Sequence, residues 1–172
     1  LLDDFAGSGD SFFRSEGNDI KGKIAKCIET LMSQNPKTGL LDIDSLEVQV
    51  VLYLATELAA GNIRERVQTL WPRHWPRCEI SVVYTLPDII RITGDADPEF
   101  DALLEKYYDA KIMDKHLKKG GPDVIHGYAN CSLPLVLNHN TPNNSVYLLW
   151  VNSSEVPTIG LFPRVSRHRE EA

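Results

Sequence analysis

The order of the elements that the sequence predicts indicates an α+β fold with a mainly antiparallel sheet. Helical patterns fill the first part of the chain, two strand patterns follow, and one long inserted helix separates these from four further strand patterns. Helices and strands segregate rather than alternate, which is typical of α+β domains. The 172 residues fit a single domain, which we expect over residues 19–163, between an irregular N-terminal segment (1–18) and a charged C-terminal tail (164–172).

The N-terminal segment mixes glycine, serine and acidic residues with phenylalanines. Phe5, Phe12 and Phe13 are costly to leave in water, so we expect the segment to dock on its own domain or on a neighbour. Gly7-Ser8-Gly9 is interpreted as a flexible turn.

Two helices are predicted between residues 19 and 61. The first carries apolar residues at i, i+4, i+7, i+8 and i+11 from Ile20, with Asn18 or Asp19 as its cap and Asn35-Pro36 as its stop. The second begins at the capping box of Asp44 and Glu47 and is apolar on almost every face, which is typical of a central helix. Its valine content leaves a strand open as the alternative.

The Trp-Pro-Arg repeat at residues 71–77 connects a short helix, predicted from Ile63, to a strand at 78–84. Pro72 disfavours helical geometry at the residue before it, so we expect the helix to end near Trp71. The two prolines make the connector extended, with Trp71 expected to pack inward and Trp75 outward.

In the second half of the chain, a strand is predicted at residues 86–93, and Asp97-Pro98 begins the long helix. That helix is expected to reach the lysines near residue 118, before Gly120-Gly121-Pro122. The remaining strand patterns lie at 124–132, 133–138, 146–151 and 158–162.

The charge balance, 18 Lys and Arg against 24 Asp and Glu, gives a formal net charge of -6. This argues against a generic nucleic-acid-binding protein, whose surface is basic. A local basic patch leaves nucleic acid or an anionic membrane surface open as partners; its residues are Lys115, Lys118, Lys119, Arg164, Arg167 and Arg169. No apolar run has the length of about 18 residues that a transmembrane helix needs.

Cys27, Cys78 and Cys131 are widely separated, so we expect free thiols and an intracellular, reducing compartment. Three glycosylation sequons, beginning at Asn130, Asn143 and Asn152, are instead typical of secreted proteins. No Cys-x-x-Cys pair and no histidine pair at helical spacing occurs, so no metal and no cofactor is predicted.

Two patterns offer enzymatic alternatives. Pro87-Asp88 with Asp109-Ala110-Lys111 resembles the metal-dependent PD-(D/E)xK nucleases, which implies that Asp88 and Asp109 hold a divalent ion and that Lys111 helps to activate water. A turn and a solvated helix face explain the same residues. His126, Cys131 and His139 would need to converge, with an orienting acid, for nucleophilic catalysis.

These observations predict a non-enzymatic interaction or assembly protein that binds another protein or copies of itself as a homo-oligomer. Tryptophan and arginine are enriched at interface hot spots. The predicted partner-binding residues are therefore Trp75, Arg73, Arg77, Phe12 and Phe13. A metal-dependent nuclease or another hydrolase is the alternative.

Overall fold

The computed structural model describes residues 1–17, 19–42 and 45–163. The chain divides into two compact units, Leu1–Asp88 and Ile89–Ala172, each with its own cluster of buried apolar residues. The domain boundaries expected from the sequence, at 18/19 and 163/164, stay predictions.

The first unit is built on a parallel sheet of three strands. These are β1 (Leu2–Ala6), β4 (Glu47–Thr56) and β5 (Arg77–Leu86), in the spatial order β1-β4-β5. Two short strands, β2 (Arg14–Glu16) and β3 (Asp19–Lys21), form a separate antiparallel pair. Helix α1 (Lys23–Thr38) precedes β4, and helix α2 (Glu57–Leu70) connects β4 to β5.

The prediction of a mainly antiparallel sheet is wrong, because all three strands of this sheet run in the same direction. The register pairs Leu2 with Val51 and Glu47 with Arg77. Parallel neighbours need a long crossover connection, which α1 and α2 provide here. The segment that we expected to be irregular supplies β1, the first strand of the sheet.

The prediction of a central helix from residue 44 is wrong over the residues that form β4. Val48, Val50 and Leu52 are buried and alternate with exposed Glu47 and Gln49, which is the period of a strand. The residues of β4 thus form the strand that their valine content left open as the alternative to a helix. Asp44, the expected cap, lies outside the described residues.

The two helices of the first unit cover buried apolar residues that include Ile24, Ile28 and Ile63. α1 begins at Lys23, later than predicted, and continues past the predicted stop at Asn35-Pro36 to Thr38, so that stop is wrong. Gly39 caps the helix, because its left-handed backbone lets its N–H donate to the carbonyl of Asn35. The expected cap Asn18 is outside the described residues. α2 ends at Leu70, which confirms the prediction that Pro72 ends the helix near Trp71.

The second unit has helices α3 (Pro98–Tyr107) and α4 (Tyr147–Trp150), joined by turns and irregular chain. α3 begins at Pro98 as predicted, but it ends at Tyr107 and does not reach the lysines. No strand forms among the described residues of this unit. The predicted strands at 86–93, 124–132, 133–138, 146–151 and 158–162 are therefore wrong, apart from Leu86 at the end of β5.

The core of the second unit instead gathers side chains from turns and from both helices, with Leu104, Val124 and Val146 fully buried. Within the described ranges, no helix has both the length and the apolar character required to span a bilayer.

Candidate functional site

The carboxyl ends of the three parallel strands lie along one edge of the sheet, and in open α/β sheets ligands bind at this edge. β1 ends at Ala6 and runs into residues 7–11, which we call the β1 loop. β4 ends at Thr56, and β5 ends at Leu86. The ends of β4 and β5 are joined by a hydrogen bond from the N–H of Asp88 to the carboxylate of Glu57 (3.2 Å).

Thr56, the last residue of β4, and Asn62 of α2 hold the first two carbonyls of the β1 loop. The hydroxyl of Thr56 donates to the carbonyl of Gly7 at 2.6 Å, and Nδ2 of Asn62 donates to the carbonyl of Ser8 at 3.0 Å. Thr56 is also the N-cap of α2, because its hydroxyl accepts from the N–H of Ala59 at 2.9 Å. The start of α2 and the start of the loop are thus fixed by one side chain.

The following carbonyls are held by backbone groups. The carbonyl of Gly9 accepts from the N–H of Phe12 (3.0 Å) and of Phe13 (3.3 Å). The carbonyl of Ser11 accepts from the N–H of Lys23, and the carbonyl of Phe12 accepts from the first turn of α1. The N-terminal amides of α1 are therefore used to fix the chain that leaves the loop.

Two arginines donate to the remaining carbonyls, those of Asp10 and Phe13. Nη1 of Arg66 donates to Oδ1 of Asp10 at 2.8 Å and to the carbonyl of Phe13 at 3.1 Å, and Nη1 of Arg14 donates to the carbonyl of Asp10 at 3.0 Å. Every carbonyl from Gly7 to Phe13 therefore accepts a hydrogen bond within the first unit.

The amides of the β1 loop, unlike its carbonyls, mostly lack a hydrogen-bond partner among the described residues. Among the described residues, no acceptor is present for the N–H groups of Ser8, Gly9 and Ser11, and the N–H of Asp10 reaches only the hydroxyl of Ser8, at 3.4 Å. Ser8 and Gly9 are buried, and buried amides normally have a partner, whereas Ser11 is exposed. Successive amides that face away from fixed carbonyls form a concave site that favours an anion.

Gly9 has a conformation that other residues rarely adopt, with φ +85°. A Cβ atom at this position would lie 3.1 Å from Cγ1 of Ile63 and 3.2 Å from the carbonyl oxygen of Ala59. The loop is thus packed closely against α2, and a glycine is required at this point.

Two carboxylates precede the loop on β1. Asp3 forms an ion pair with Nζ of Lys23 (2.5 Å), and its side chain is only 14% exposed. Asp4 is exposed. Asp4 lies three residues before Gly7, so roughly 10 Å of extended strand separates it from the start of the β1 loop.

The residues predicted to bind a partner all lie in the first unit. Phe12 and Phe13 are fully buried, while Arg73 and Arg77 are exposed. Trp75 is half-buried, packs edge to face on Trp71 at 5.1 Å, and lies 6.5 Å from Phe13. Trp71 is buried to a similar degree and donates from Nε1 to the carbonyl of Pro76. The expected contrast between an inward Trp71 and an outward Trp75 is not present, and the role of these residues in binding stays a prediction.

The residues of the nuclease-like pattern are fixed by local structure. Asp88 is exposed at the end of the first unit, and Lys111 is exposed in a turn of the second. Asp109 accepts a hydrogen bond from the N–H of Lys111 at 3.0 Å, which is the capping of a short turn. In the part of the chain that is described, no group of three or more His, Cys, Asp or Glu side chains could hold a metal ion.

The predicted basic patch is described only in part. Lys115, Lys118 and Lys119 are exposed in the second unit, around a short 3₁₀ turn, and Arg164, Arg167 and Arg169 lie outside the described residues. Its binding of an anionic partner stays a prediction.

His126 and Cys131 both lie in the second unit. Nε2 of His126 is 2.5 Å from Oδ1 of Asp101, so the histidine does have an acidic partner. The thiol of Cys131 is 2% exposed and contacts Nδ2 of Asn144 at 3.2 Å, while His139 is exposed. A thiol enclosed in this way is poorly placed to attack a substrate. All three cysteines are free, as predicted.

The sequence interpretation missed the β1 loop. Its signal was the sequence LLDDFAGSG, in which a short apolar and acidic run leads directly into small residues. Without the partners that hold its carbonyls, this segment has the composition of a flexible turn.

The PRTase-CE family model matches residues 1–164. The chain therefore belongs to PRTase-CE, a phosphoribosyltransferase-like family. This finding overturns the prediction of a non-enzymatic assembly protein, and with it the hydrolase alternative. Searches of the curated proteins and of the solved structures gave no match.

Proposed function

We propose that this member of the PRTase-CE family binds a 5-phosphorylated ribose and transfers its phosphoribosyl group to an acceptor. The observation that carries the proposal is the β1 loop, in which the carbonyls from Gly7 to Phe13 are all held and the amides of Ser8, Gly9 and Ser11 are left for a ligand. A phosphate group has the charge and the acceptor oxygens that such a row of N–H groups favours. Membership of a phosphoribosyltransferase-like family supports the same ligand.

The orientation of the ligand follows from the order of groups along β1. The 5-phosphate would lie on the β1 loop, and the ribose would extend toward Asp4 and Asp3. A carboxylate accepts hydrogen bonds from two hydroxyls, so these acids suit the 2- and 3-hydroxyls of the sugar. Lys23 holds the carboxylate of Asp3 in place through its ion pair.

The reaction proposed is the displacement of diphosphate from 5-phosphoribosyl 1-diphosphate. A nucleophilic atom of the acceptor forms a bond to C1 of the ribose, the bond from C1 to the diphosphate oxygen breaks, and the acceptor loses a proton. The protein contributes orientation, because the phosphate and the hydroxyls are held on a rigid strand and loop. Positive charge that develops on the ribose is stabilised by carboxylates, those of Asp4 on β1, of Glu57 at the start of α2 and of Asp88 after β5.

The test is direct binding of 5-phosphoribosyl 1-diphosphate, supplied as its magnesium salt, by isothermal titration calorimetry. We expect the chain to bind this compound and not ribose, since the free sugar lacks the phosphate. Gly9→Ala should weaken the affinity at least about tenfold, because a Cβ atom there would push the loop away from α2.

Gly17→Ala is the matched control. Gly17 also has a positive φ, of 64°, but a Cβ atom added there meets nothing within 4 Å. Equal affinities for the sugar with and without phosphate, or no binding of either, would refute the proposal.

Two predictions from the sequence accompany this function. The exposed Arg73 and Arg77 are proposed to contact a protein partner, and the free thiols are proposed to reflect a reducing, intracellular compartment. Analytical ultracentrifugation of Arg73→Ala and Arg77→Ala, beside the unmodified chain, tests self-association at this surface.

A further inference from the structure

We propose that Arg66 is a positioning residue of the phosphate-binding site, which fixes the β1 loop and offsets the negative charge of Asp10 within it. This inference rests on the proposed function and assigns the residue that makes the loop suitable for a phosphate.

Arg66 is placed for this role by the periodicity of α2. Asn62 and Arg66 are four residues apart, so both side chains lie on the same face of the helix, and both contact the β1 loop or the chain that follows it. One nitrogen of Arg66 bridges the carboxylate of Asp10 and the carbonyl of Phe13, which closes the turn between them. Both side chains of the ion pair are less than one third exposed (28% and 29%).

The charge of Asp10 makes this contact necessary. Asp10 lies between Gly9 and Ser11, whose amides are the proposed phosphate donors, so its carboxylate is within a few ångströms of any bound phosphate. Like charges at such distances repel, and the repulsion is stronger near a protein surface than in bulk water. Arg66 reduces this repulsion because its guanidinium donates directly to the carboxylate of Asp10.

The experiment measures the affinity of the full chain for ribose 5-phosphate by calorimetry. Arg66→Ala should weaken the affinity by about tenfold or more, because an uncompensated carboxylate then remains beside the phosphate. Removing that carboxylate as well, in Asp10→Asn/Arg66→Ala, should restore most of the affinity. A purely structural loss would not be restored in this way.

Arg64→Ala is the control, because it removes the same charge from an exposed position of the same helix and should bind as the unmodified chain does. Arg66→Lys retains a positive charge beside Asp10 and should bind more tightly than Arg66→Ala. It serves as the second variant if Arg66→Ala does not fold.

The outcomes separate this inference from the proposed function. If the unmodified chain binds ribose 5-phosphate and Arg66→Ala and Arg66→Lys bind equally well, Arg66 has no positioning role and the proposed function stands. If the double variant is as weak as Arg66→Ala, the role in charge compensation is refuted. If the unmodified chain does not bind ribose 5-phosphate at all, the proposed function and this inference both fail.

Discussion

Thr56→Val tests whether one side chain fixes both α2 and the β1 loop. Valine has nearly the shape of threonine, so the substitution removes the hydroxyl with little change in packing. Thr56 is 5% exposed, and its hydroxyl both donates to the carbonyl of Gly7 and accepts from the N–H of Ala59. Both hydrogen bonds are lost in the variant.

The expected magnitude follows from these two contacts. Loss of an N-cap costs about 1 kcal/mol. A buried carbonyl left without a partner costs about 1–3 kcal/mol. The free energy of unfolding should therefore fall by about 2–4 kcal/mol, which is a large part of the roughly 5–15 kcal/mol that stabilises a typical domain.

Urea denaturation followed by circular dichroism measures this change. Thr56→Ser is the matched control, because it retains the hydroxyl and loses one methyl group, at a cost of about 1 kcal/mol. A loss below about 1 kcal/mol in Thr56→Val, or equal losses in the two variants, would show that the hydroxyl does not join the loop to the helix.

Three further predictions concern the first unit. Gly22→Ala should lower the free energy of unfolding by about 3 kcal/mol or more, because φ is +119° there and a Cβ atom would lie 2.3 Å from the carbonyl oxygen of Phe12. Gly17→Ala should lower it by only about 1 kcal/mol, because a Cβ atom there meets nothing within 4 Å. Similar urea midpoints for the two variants would contradict this prediction. Trp75→Ala should lower the free energy of unfolding by about 2–3 kcal/mol if the half-buried indole belongs to the core, and an unchanged midpoint would place it at the surface. Burial raises the pKa of the Cys78 thiol from 9.0 to about 11, so the protonated thiol is favoured in the folded chain. The resulting stability is complete below pH 9 and is lost as the pH rises through about 11, a decline that should be smaller in Cys78→Ala when unfolding is measured at each pH.

The sequence predicted the elements whose ends are set by local chemistry. Pro72 sets the end of α2, and Pro98 sets the start of α3, because the proline ring restricts the local backbone. Pro36 did not stop α1, which continues to Thr38. The strand that became β5 was predicted from its alternating apolar residues and its position after Pro76.

The elements that depend on distant partners could not be predicted in the same way. β4 is apolar along much of its length because it lies at the centre of a parallel sheet, and such a strand has nearly the composition of a buried helix. The second unit contains short apolar runs such as residues 133–138, which among the described residues make only isolated bridges, Leu133 with Ser145 and Leu137 with Asn140, and therefore form no strand. The β1 loop is fixed by Thr56 and Asn62, about fifty residues away, which no local pattern reveals.

Under the proposed function, the β1 loop links ligand binding to the stability of the first unit. Its carbonyls are held by α1, by α2 and its cap, by Arg14 and by the backbone that follows the loop, so the loop is fixed in place before any ligand arrives. Ser8 and Gly9 are buried, so an anion that accepts from their amides would remove the cost of leaving buried donors without a partner. A ligand that binds only the folded chain at 100 times its dissociation constant stabilises the folded state by about 2.7 kcal/mol. The thermal midpoint should therefore rise with 5-phosphoribosyl 1-diphosphate and rise less in Gly9→Ala, in which the same loop is displaced. A rise of equal size in both would mean that the compound binds elsewhere on the chain.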